Sequence, residues 1–86
     1  MTKAEKKLLQ RKEAELFLEK EQYISWFGKD SKLAAGAVTA WLAVYDVLEM
    51  LGIDGDINLP DNKEAWKMQS ERSRLEAELE TQTINK

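Results

Sequence analysis

Eighty-six residues, 34% of them charged, with a formal net charge of −3, suffice for a single domain, 1–86; at this size a chain buries only about 60–65% of the surface it exposes when unfolded. Cysteine and histidine are both absent, which excludes disulfides, thiolate and imidazole metal sites, a cysteine nucleophile and the serine–histidine relay. The composition points away from an enzyme and from any cofactor, toward a reducing, cytoplasmic setting, and the charge balance by itself names no partner.

Four glycines and one proline leave breaks near residues 28–31 and 52–61. These divide the chain into three helices, about 2–27, 31–51 and 62–83. The start, MTKAEKKLLQRKEAELF, lacks the apolar run of a secretory signal, and Glu5, Glu13 and Glu15 argue against a transit peptide, so it reads as mature sequence. Projected at 100° per residue, the first helix places Leu9, Leu16, Phe17, Tyr23, Ile24 and Phe27 on one face. Lys6, Glu13 and Lys20 fall on that face too, so the stripe is clean only over the last two turns. The basic residues Lys6, Lys7, Arg11 and Lys12 could meet nucleic-acid phosphates, but no aromatic interleaves them, and a solvated, fraying helix start accounts for them better. Gly28 suits the left-handed ending of this helix, and Asp30 or Ser31 suits the cap of the next.

The second helix, SKLAAGAVTAWLAVYDVLEML, carries no charge from Leu33 to Tyr45 and reads as the central element, apolar almost all round. Its uncharged run is shorter than the roughly 20 residues of a membrane span, so no membrane association is expected. The cluster Ala34, Ala35, Gly36, Ala37 and Ala40 permits a close helix crossing, either with the first helix or with a second copy. Trp41 and Tyr45 share a face, and so much apolar surface exceeds what a short chain can cover alone. Gly36, Ala40, Trp41 and Tyr45 are therefore the candidate partner or dimer interface. Asp46 and Glu49, three apart, read as a solvated edge.

The loop IDGDINLPDNKE, residues 53–64, opens with the alternating oxygen ligands of a calcium loop, Asp54, Asp56 and Asn58. Leu59 then replaces the glycine at the sixth position and Ala65 the glutamate at the twelfth. A turn accounts for more of the same residues. Gly52 with Ile53 makes a helix ending, Gly55 tolerates positive φ and the aspartates bond their own backbone, and Asp61 with Glu64 forms a capping box with Pro60 just outside. No specific metal is expected. In the third helix Met68, Leu75 and Leu79 form a weak stripe interrupted by Arg72. Lys67–Glu71, Arg72–Glu76 and Arg74–Glu78 have the spacing of solvated ion pairs, and the end TQTINK is expected to fray.

The segment Asp30–Leu51, through Asp30, Lys32, Thr39, Ala40, Trp41, Val44, Leu48 and Glu49, preceded by Tyr23–Ile24, resembles the core helix of small bacterial helical-bundle families of unknown function grouped with the HEPN-like fold. The resemblance implies an antiparallel helical bundle and says little about activity. HEPN-type ribonucleases use an arginine followed by a histidine, which this sequence cannot supply, so a member of this length would be an inactive or binding version. The expectation is an all-α fold, a three-helix antiparallel bundle dimerising through its apolar second helix as an interaction or structural module. The alternative is a nucleic-acid-binding regulator using the basic start of the first helix.

Overall fold

The computed structural model describes residues 1–84, with side chains through Thr81. The described residues form three helices, α1 (Lys3–Phe27), α2 (Lys32–Met50) and α3 (Pro60–Ile84), and no strand. The fold is all-α, as the periodicity and break points imply.

Local chemistry sets most of the ends. Thr2 and Glu5 form a reciprocal capping box at the start of α1, satisfying donors that a helix start leaves unpaired. Gly28 stops α1 at φ 87°, its N–H donating to the Ile24 carbonyl. Ser31 then opens α2, its side chain accepting from the Ala34 N–H at 3.1 Å. At the far end Gly52 adopts φ 68°, its N–H donating to Glu49 while that of Ile53 donates to Leu48. That pair of bonds is the Schellman ending, which needs a residue at positive φ and so favours glycine.

The start of α3 differs from the expected one. Pro60, placed outside the helix by the sequence reading, is its first residue, and Asp61 lies inside the first turn. Proline suits that position because its φ is already helical and its missing N–H would have had no partner there. The first carbonyl engaged is that of Leu59, which accepts from Lys63 at 3.1 Å. At the other end the helix runs on through Ile84; of the end expected to fray, Asn85 and Lys86 lie outside the described residues.

The central element is α1, not α2. It packs against both other helices, whose backbones do not approach each other among the described residues. Phe17, buried, meets Trp41 of α2 with ring centroids 5.6 Å apart and Trp66 of α3 edge-on at 5.2 Å. Sandwiched between two neighbours, the middle of α1 is enclosed, and the chain places Glu13, Lys20 and Glu21 there beside Ala14 and Phe17. The end of α1 expected to be cleanly buried is instead open, with Trp26 64% and Phe27 51% exposed. Apolar pattern alone does not decide burial; the number of neighbouring helices does.

The molecule is elongated, 57 × 26 × 20 Å with a radius of gyration of 15.3 Å, where a compact chain of this length has about 12 Å. Its accessible surface is 6481 Å², against about 5,200 Å² for a compact monomer of the same mass. More than a thousand square ångströms of extra surface therefore faces outward.

Candidate functional site

Two regions stand out from an ordinary helical surface. One is the outer face of α2, the other the groove between α2 and α3.

Only Ala34, Ala37 and Leu48 of α2 are buried, with Val38, Trp41 and Val44 partly so, and all lie on the side turned to α1. The opposite side carries Leu33, Gly36, Ala40, Ala43, Val47 and Met50, spaced alternately by three and four residues and all exposed. That is the spacing of one continuous seam along a helix. The seam bears no charge over its length. Small residues occupy its middle, and a Cβ built on Gly36 would meet nothing within 4 Å. Larger residues flank it, Met50 being 86% exposed. By length and composition alone α2 is also apolar enough to cross a membrane. Asp46 and Glu49, both exposed, mark its polar edge.

The groove exists because the backbones of α2 and α3 stay apart. Its floor is α1, its walls are Trp41 and Tyr45 on one side and Trp66 and Gln69 on the other, and Gly55 and Ile57 lie at its loop end. The floor is polar as well as aromatic. Glu13 accepts a hydrogen bond from Trp41 Nε1 at 3.0 Å. Lys20 sets its ammonium 4.2 Å from the Trp41 ring centroid and 4.7 Å from that of Phe17, within the range in which a ring quadrupole attracts a cation. Its Nζ also lies 3.3 Å from Glu21 Oε1. Arg72 of α3 donates to Glu21 Oε2, so it turns inward to α1 and not to Glu76 on its own helix. Glu21 is 0% exposed and is held between two cations, as a buried carboxylate requires.

The sequence-predicted interface residues are thus divided. Gly36 and Ala40 lie on the open seam, whereas Trp41 and Tyr45, their rings tilted with centroids 5.2 Å apart, face the groove. Lys6, Lys7, Arg11 and Lys12 are all exposed on α1, where Lys12 pairs with Glu15 at 3.7 Å and Arg11 lies near Glu15 and Asp61. Acidic neighbours therefore interrupt this basic stretch. In the loop, Asp56 Oδ1 accepts from the Asn58 N–H at 2.9 Å and the Asp56 carbonyl from Asn62 Nδ2, while the Asp54 carbonyl accepts from Gln10. These bonds build a turn pinned to α1. Among the described residues no group of three or more acidic side chains is placed to hold a metal. Gly55 is not at positive φ, contrary to the sequence reading; its role is space, since a Cβ there would meet Glu13 Oε2 at 3.3 Å.

Sequence reasoning missed Glu21, Arg72 and Asn62. The interruption of the third helix's stripe by Arg72 was the one available signal, and its partner lies 51 residues away in the chain. Compared with known proteins, the chain matches no family model, no curated protein and no solved structure.

Proposed function

We propose that the protein is a small interaction module, a three-helix antiparallel bundle that pairs with a second copy of itself through the outer seam of α2. The observation that carries this reading is the uncharged, exposed seam from Leu33 to Met50 on a chain whose surface exceeds the compact value by more than a thousand square ångströms. A standard interface takes about 800 Å² from each partner, so pairing along α2 uses surface the chain has in surplus. The small residues Gly36, Ala40 and Ala43 let two helix backbones approach closely, and the flanking Leu33, Val47 and Met50 supply apolar contact. A partner helix suits this face better than lipid, because the uncharged run from Leu33 to Tyr45 is shorter than the roughly 20 residues of a span, and Asp46 and Glu49 remain at the solvated edge of a pair. The likeness of Asp30–Leu51 to HEPN-like bundles without the catalytic histidine agrees with a binding role, and a cysteine-free chain suits the cytoplasm.

Sedimentation equilibrium at micromolar to high micromolar concentration tests the reading. The expected result is a dimer that Ala40→Arg converts to monomer. A strict monomer throughout that range, or binding to uncharged lipid vesicles in place of self-association, overturns it.

A further inference from the structure

The seam on α2 reads the same from both ends. Leu33, Gly36, Ala40, Ala43, Val47 and Met50 follow one another at three, four, three, four and three residues. Turning the helix end for end about its midpoint, between Trp41 and Leu42, therefore sets Leu33 on Met50, Gly36 on Val47 and Ala40 on Ala43. A two-fold interface needs this kind of self-complementarity, residue i meeting residue j while j meets i.

The matched residues also fit by size. Open space lies where a Cβ on Gly36 would stand, and there the partner's Val47 can seat its methyl groups. Alanines at the centre allow the closest approach, and the long side chains of Leu33 and Met50, 58% and 86% exposed, meet at both ends. Copies running in the same direction would instead set Gly36 on Gly36 and Val47 on Val47, leaving a gap at one level and crowding at another. Thr39, beside Gly36 and Ala43 on the helix surface, already donates its hydroxyl to the Ala35 carbonyl at 3.0 Å, so covering it strands no donor.

The charges around the seam have a direction. Lys29 and Lys32, with Asp30 between them, give the start of α2 a positive balance. After Lys32 the next basic residue is Lys63, and Asp46, Glu49 and Asp54 gather at the other end, all of them exposed. Reversed copies set each positive end beside a negative one, twice over, whereas parallel copies set like ends together. The helix dipoles add the same preference.

We propose, on the basis of the self-pairing put forward above, that the partner on this face is a second copy running antiparallel, in the register that sets the partner's Val47 over Gly36 and the partner's Met50 against Leu33. The two-fold axis then passes between Ala40 and Ala43.

The chain has no cysteine, so a thiol placed on the seam is the only one present. Leu33→Cys and Met50→Cys, both at exposed positions, are oxidised singly and as an equal mixture, at a concentration where sedimentation shows the dimer. The expected result is a mixed disulfide that forms at least about tenfold faster than the disulfide of either variant with itself. A disulfide needs Cα atoms within about 7 Å, and like positions in the antiparallel pair stand about 25 Å apart along the helix. Nitroxides attached at Met50→Cys should likewise read roughly 25 Å or more between copies. Lys32→Glu should weaken pairing roughly three- to tenfold, since it turns two attractions into repulsions, whereas in a parallel pair it exchanges one like-charge contact for another. Self-disulfides faster than the mixed one, a nitroxide separation under about 15 Å, or an unaltered affinity in Lys32→Glu overturns the antiparallel register while leaving self-pairing in place. A chain that sediments as a monomer throughout overturns both.

Discussion

The inner faces of α1 and the outer face of α2 reverse the usual distribution of side chains. Inside, α1 encloses Glu13, Lys20 and Glu21, while α2 turns Leu33, Val47 and Met50 to solvent. The difference shows that position in the packing order outranks the hydrophobicity of an element. A helix with neighbours on two sides buries whatever it carries and must pair its charges there, whereas the most apolar helix, with one neighbour, leaves most of its circumference bare.

The comparison can be broken most forcefully at Glu21. Glu21→Ala leaves the Lys20 ammonium and the Arg72 guanidinium without their shared counter-ion, and removing one partner of a buried pair costs about 3–5 kcal/mol. In a domain whose total stability is of the order of 5–15 kcal/mol, urea or thermal melts should show a large loss; a melt close to wild type would mean that the interior charges are solvated. Trp41→Phe keeps an aromatic but smaller ring and removes the Nε1 donor to Glu13, with an expected loss of at least about 1–3 kcal/mol, measured in the same melts. Ser31→Ala removes the side-chain cap of α2 and should cost about 1 kcal/mol. Thr2→Ala, at an exposed cap beyond the packed part of α1, should cost less, and melts that rank the two the other way would place the start of α1 inside the cooperative core. Smallest in stability is Ala40→Arg on the outer face, within about 0.5 kcal/mol for the dilute monomer. A greater loss under those conditions would show that the face is covered within one chain.

How much was legible in the sequence follows the range of the interactions. Gly28, Ser31 and Gly52 announce their roles because capping involves residues a few positions apart: Gly52 makes the ending read for it and Ser31, one of two candidates, caps α2, while Gly28 ends α1 at positive φ but with ψ 153°, outside the left-handed helical conformation expected. The seam was half legible: Gly36 and Ala40 are outside, but periodicity gave no direction to the helix, so Trp41 and Tyr45 were grouped with them although they face α3 across the groove. Glu13 and Lys20 looked like interruptions of an apolar stripe. They are its interior, and only their partners reveal this, Trp41 from 28 residues away and, through Glu21, Arg72 from 51. Pro60 shows a nearer limit, since a proline just before a capping sequence and one at the first helical position look alike in the sequence.

The separation of the α2 and α3 backbones has a bearing on how a perturbation travels through the molecule. Whatever binds to α2 can affect α3 through α1 or the connecting loop. Across α1 the side chains form an unbroken line, from Trp41 to the Lys20 ammonium, from Lys20 to Glu21, and from Glu21 to Arg72. Energetic coupling between the outer helices can therefore run through these charged groups as well as through the rings of Trp41, Phe17 and Trp66. A double-mutant cycle between Trp41 and Arg72, which share no direct bond, should give a non-zero interaction energy, and replacing Lys20 with methionine should reduce it.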